Sequence, residues 1–265
     1  MTPTIYNPAP HTTPYRAPSN TDRTNDTETL SVDRKKRGVA DTANIWPQHS
    51  TIKISFIGMT KEQEAFTKEN INKWAPHVNL KFEFTDKPDG DIRIAVDSGS
   101  GPSWSDVGMA AKRTPLNEPT MLINFSMGEG TGTATVIQHE FGHALGLKHE
   151  HQHPDNELNF NHERVYQDHE KGGRSRAATH NSVIRKYDRS KVTTSDYDQQ
   201  SIMHYPFSRK YLNGGKEVYE NVELSAGDIK FVRSLYPSNS ENRPSPSKPD
   251  QRPHPLQNPV NLPSS

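Results

Sequence analysis

The chain has 265 residues, with 32 Lys+Arg against 32 Asp+Glu, no cysteine and a hydrophobic fraction of 30%. The absence of cysteine excludes disulfides, thiolate metal sites and cysteine nucleophiles, and the zero net charge argues against nucleic-acid or membrane-surface partners chosen by bulk charge. A mean hydropathy of -0.95 means that part of the chain stays out of any core, and no apolar run nears the ~18 residues that cross a bilayer.

Residues 1–37 are rich in Pro, Thr, Asn and Asp without periodicity, and read as a disordered leader. They lack the apolar core of a secretory signal and end in the basic run Arg34-Lys35-Lys36-Arg37. Residues 38–237 read as one domain of ordinary composition. Within it, residues 51–57 (TIKISFI) alternate and predict a strand. Residues 61–74 carry Ala65, Ile71 and Trp74 at helical spacing among charges. Residues 80–84 (LKFEF), 91–96 (DIRIAV) and 121–125 (MLINF) predict three more strands. A helix over about 133–147 follows, then a long polar stretch rich in His and Asp, then a short helix over 226–235. Early strands with one helix among them predict an α+β fold: a twisted sheet, a second helix behind it and an irregular C-terminal half. Residues 238–265 place Pro every few positions and read as an extended, solvated tail.

The chemistry concentrates in residues 139–149, HEFGHALGLKH, which match H-E-x-x-H-x-x-G-x-x-H at every fixed position. On a helix, His139 and His143 lie one turn apart on one face, so both imidazoles reach a single ion. Glu140 lies about 100° round the helix, close enough to touch water at that ion without ligating it. Ile137, Phe141, Ala144 and Leu145 form the face to be buried. Gly146 permits a positive φ that ends the helix, and the chain can then bring back His149 as a third ligand. Three protein nitrogens leave one position open, as in catalytic rather than structural zinc sites. The expected cofactor is one Zn2+ per chain, with Glu140 as the general base for peptide hydrolysis. His151, His153 and His162 crowd the motif in sequence and are expected at the surface or in hydrogen bonds rather than on the metal.

Downstream, residues 198–206 (DQQSIMHYP) contain Ser-x-Met-His-Tyr, which beside the zinc motif reads as a methionine turn. With this segment the chain resembles the astacin-like branch of the metzincin peptidases, and more closely its cysteine-free bacterial members. Glu150 after the third histidine, the SIMHY turn and Trp104-Ser105-Asp106-Val107-Gly108 carry the likeness. Ile45-Trp46-Pro47, Leu224-Ser225-Ala226-Gly227-Asp228-Ile229 and Leu235-Tyr236-Pro237 add to it, over about residues 38–237.

The resemblance implies a zincin-like fold whose twisted mixed sheet sets an edge strand over the active-site helix. It implies an endopeptidase acting on protein or peptide substrates. Met203 would floor the three histidines, and Tyr205 would be a weak fifth ligand that swings to hydrogen-bond the tetrahedral intermediate. Residues 105–112 would form the cleft edge, pairing with an extended substrate. Glu150 would pair with the amine of Gly38 after cleavage behind Arg37. A monomer is expected, exported by a route that needs no signal peptide, because an unblocked peptidase endangers its own cell. The Phe-x-Gly-Asp latency motif and the disulfides of the animal enzymes are absent from this sequence. The competing expectation is a binding protein on an inactivated peptidase scaffold, against which the presence of Glu140 argues.

Overall fold

The computed structural model describes residues 38–238 apart from Ser98 and Ser100. The leader, the run Arg34–Arg37 and the Pro-rich tail beyond Ser238 lie outside the described residues. The elements are β1 (Val39–Asp41), β2 (Thr51–Ile57), α1 (Lys61–Ile71), β3 (Lys81–Thr85), β4 (Ile92–Asp97), β5 (Trp104–Ser105), β6 (Met121–Asn124), α2 (Thr131–Ala144), α3 (His162–Lys171), α4 (Arg176–Thr179), β7 (Val192–Thr194) and α5 (Ala226–Leu235).

Five strands form a mixed sheet in the order β3-β2-β4-β6-β5. All neighbours are parallel except the edge strand β5, which runs antiparallel to β6. Strand periodicity of two places Ile52 and Ile54, Ile92 and Ile94, and Met121 and Ile123 on common faces, and all six are buried. They belong to one core with Ile137, Phe141 and Leu145 of the α2 segment. Arg93, between two core isoleucines on β4, is 1% exposed. Its guanidinium donates to the carbonyls of Gly90, Thr114, Pro115 and Glu118 at 2.8–3.0 Å, which satisfies the buried charge and pins the loop before β6.

α1 opens on a capping box between Thr60 and Gln63. It stops at Ile71, three residues before the expected end. Trp74 N bonds Ile71 O in a tighter turn, and Pro76 keeps Ala75 from continuing an α-helix. The edge strand expected over residues 105–112 is also shorter, confined to Trp104–Ser105. Gly108 takes φ +52, and a Cβ there would lie 1.9 Å from Asn44 O. The backbone therefore turns, and Gly108–Arg113 coils into a 3-10 helix.

The polar stretch after α2 holds more regular structure than its composition suggests. α3 buries only Val165, so it has no apolar stripe to read. Asn161 caps it by accepting from Arg164 N at 3.1 Å. A small second core joins Phe160, Val165, Val183, Ile184, Phe207 and Val218. β7 pairs antiparallel with β1 and so ties this half to the start of the domain. Among the described residues no helix is long and apolar enough to cross a membrane.

Candidate metal centre

α2 carries His139 and His143 and is buried along most of its length. Its end follows from Gly146, which adopts φ +97. Gly146 N donates to His143 O at 2.7 Å and Leu147 N to Gly142 O at 3.0 Å, a Schellman closure. Two further carbonyls are met by residues from the domain's extremities. The Trp46 indole donates to Ala144 O at 2.8 Å and the Tyr236 hydroxyl to Leu145 O at 2.7 Å. Beyond Gly146 the chain runs beside β1, with Asp41 N on Gly146 O and Lys148 N on Val39 O. This path returns His149 to the face that carries the other two histidines.

One ring nitrogen from each of His139, His143 and His149 lies within 4.8 Å of the others. His139 Nδ1 is 2.7 Å from Ile202 O and His143 Nδ1 is 2.8 Å from Leu147 O. A carbonyl only accepts, so both Nδ1 atoms carry the proton and both Nε2 atoms present a lone pair. His139 Nε2 is buried and has no protein hydrogen-bond partner. His143 Nε2 and His149 Nε2 face each other at 3.0 Å. Tetrahedral zinc at ~2.0–2.1 Å from nitrogen separates its ligand atoms by ~3.3 Å, so the donor set fits this ion. Burial pulls His139 down to about 4, which keeps its imidazole neutral near pH 7. Burial pushes the neighbouring Glu140 carboxyl up to about 8, and a dication on the histidines acts in the opposite direction.

Met203 is buried against α2, where a Cβ on Gly142 would lie 2.4 Å from its Sδ. That contact explains why so small a residue stands between the two helical histidines. The Tyr205 ring lies 4.4 Å from that of His149 and 5.8 Å from that of His139, measured between centroids. His151 is fully buried and its Nε2 donates to Ser182 O, while His153 Nδ1 accepts from Asp155 N. Both are internal bonding groups, not surface residues. Glu150, 1% exposed, accepts from Asp198 N at 2.8 Å. The Gly38 carbonyl accepts from Ser195 N at 3.0 Å, and Arg37, before it, lies outside the described residues.

The sequence profile of the astacin peptidase family matches residues 38–236. The chain belongs to the astacin family. Two solved structures of myroilysin share the fold. One has 32% identity and a TM-score of 0.73 over 76% of this chain and 100% of that chain. A hatching enzyme, high choriolytic enzyme 1 from Oryzias latipes, is 21% identical with a TM-score of 0.50, over 74% of this chain and 95% of that one, a likeness of fold. Among curated relatives, protein SpAN of Strongylocentrotus purpuratus is 28% identical over 192 residues, 66% of this chain. Tolloid-like protein 1 of Mus musculus is 26% identical over 209 residues, 74% of this chain. The chain spans 28% of the length of the first and 19% of the second.

Astacin-family proteins are zinc-dependent peptidases, and this member has three histidines placed for the ion. Its methionine turn is held from α5 in a way the sequence did not disclose. Asp228, 4% exposed, accepts from Ser201 Oγ at 2.6 Å and Ile202 N at 2.8 Å, so it fixes the residue whose carbonyl orients His139. Ser225 and Asp228 form a capping box at the start of α5. Gly227 allows the approach, since a Cβ there would lie 1.8 Å from Asp198 Oδ2.

Proposed function

We propose that this astacin-family chain is a zinc-dependent endopeptidase of protein or peptide substrates, with one zinc held by His139, His143 and His149. The observation that carries it is the convergence of three imidazole nitrogens, two with Nδ1 committed to backbone carbonyls, beside Glu140 at a pocket. A bound zinc ion supplies Lewis acidity, bringing the pKa of water toward ~7 and polarising the scissile carbonyl. Glu140, one step round α2 from His139, takes the proton of the attacking water and gives it to the leaving amine. Tyr205, whose ring lies against His149, donates its hydroxyl hydrogen bond to the oxygen of the tetrahedral adduct. Ile202 O and Leu147 O keep the two helical imidazoles in one tautomer and one orientation. Residues 38–237 form the catalytic domain in this reading, supported by the family match from Gly38.

Zinc content and casein hydrolysis, measured on wild type beside Glu140→Ala, test the assignment. Both proteins are expected to bind one zinc, with hydrolysis by the variant down by about 10²–10⁴. Zinc binding by both with no cleavage by wild type would instead identify a binding protein on this scaffold.

A further inference from the structure

A pocket opens beside Glu140, between Val136 and Glu140 of α2, the Tyr205-Pro206 step and the pair Glu220-Asn221. Its wall is neutral or apolar apart from two carboxylates, Glu140 and Glu220, among the described residues. In the proposed reaction Glu140 protonates the leaving amine, and that nitrogen belongs to the residue after the scissile bond. The pocket that Glu140 lines therefore receives the side chain of that residue.

Glu220 sits on a segment anchored from three sides. Val218 and Phe207 exchange backbone bonds at 2.9 Å. Asn221 Nδ2 donates to Gln199 O at 2.9 Å and Ser201 O at 3.0 Å, and Thr135 Oγ1 donates to Val222 O at 3.4 Å. These bonds fix the backbone on both sides of Glu220 at the pocket wall before substrate arrives. Among the described residues no cation pairs with Glu220. Its carboxyl is raised by partial desolvation although the residue is solvent-exposed, as expected for a wall group whose partner comes from outside. Glu217 and Glu223 on the same segment outnumber Lys216 and leave it net negative.

We propose that Glu220 is a specificity-determining residue that selects Lys or Arg immediately after the scissile bond, an inference that rests on the endopeptidase reading of the site. A casein-derived peptide that wild type cuts once, resynthesised with Lys, Leu or Asp after the cut, is the probe. Wild-type zinc enzyme is expected to favour Lys over Asp by about ten-fold in kcat/KM, the scale of a partly exposed charge pair. Glu220→Gln should bring the ratio near one, and Glu220→Lys should invert it, a gain that a misfolded variant cannot produce. A Lys preference that survives Glu220→Gln overturns the proposal. So does a wild-type preference for Asp, which would point instead to Arg174. Its Nε and Nη1 are buried without a hydrogen-bond partner among the described residues, and its charge acts on Tyr205. If wild type cuts no peptide at all, the endopeptidase reading itself fails and takes this inference with it.

Discussion

Residues 51–147 bury one face of a sheet against a helix, whereas residues 150–225 are joined largely by side chains bonded to backbone. In the first region the stabilising contacts are apolar and contiguous, from Ile52 and Ile54 to Phe141 and Leu145. In the second, Gln152 Nε2 donates to Asn181 O and Arg185 O, and Asn156 Nδ2 donates to His151 O and His153 O. Only a six-residue core lies among them. Apolar packing is insensitive to any one hydrogen bond, while a polar framework loses a buried partner with each deletion. The centre straddles both regions: two ligands and the base stand on the apolar half, while Tyr205 and the pocket wall at Glu220 depend on the polar half.

The largest effect should come from Phe141→Ala, which empties a site with no exposure and removes the ring that meets Phe82 edge-on. A loss of about 3–5 kcal/mol is expected in denaturant unfolding. A loss below about 1 kcal/mol would mean that the sheet half is not the stable one.

Acid should act on the polar half, which holds the buried His151, His153 and His204, and in the other half on α2 through His139, rather than on the strands. Burial holds His204 at about 4, and His151 and His153 are also lowered by burial. Below pH 6.5 the unfolded chain takes up protons that the folded chain refuses. The stabilisation is therefore complete above about pH 6.5 and is lost as pH falls toward 4. His204 alone accounts for about 3 kcal/mol of that loss. Glu150, held well above the usual carboxylate range by burial, works in the other sense as pH rises from about 4.5. Hydrogen exchange, corrected for its intrinsic slowing in acid, should quicken at pH 5 against pH 7 in residues 151–207 while β2 and β4 stay protected. Equal acceleration in both halves would erase the distinction.

Asn156→Ala should have the smallest effect, about 1–3 kcal/mol, because His151 O loses the donor and Leu158 N the acceptor that the Asn156 side chain supplies, while His153 O keeps its bond from Asn156 N. It sharpens the comparison if its exchange effects stay within residues 150–190. Global unfolding at the same midpoint for all probes would show that the halves melt as one.

The same division explains what could be read in advance. The strands of the sheet announced themselves because one face is apolar with a period of two. The metal-binding stretch did so because chemistry fixes its spacing, and Gly146 marked the helix end because its φ is positive. α3 was hidden, since a helix that buries only Val165 has no stripe to show. The short edge strand was hidden too, because the close approach of Asn44 O to Gly108 is a tertiary event. Glu220 gave no signal, since Asn221 anchors its segment through bonds to Gln199 and Ser201, which leave no period behind.

The closure of α2 has a consequence for the order of events during synthesis. Trp46 N also reaches the Tyr236 hydroxyl at 3.3 Å, across 190 positions, at the point where that hydroxyl meets Leu145 O. A chain emerging from the ribosome must expose Tyr236 before the last turn of α2 is sealed, and contacts of such long range form slowly. The nascent chain thus carries all three histidines into solution well before it can set them in place. The helix that carries two of them is closed only when the domain is finished.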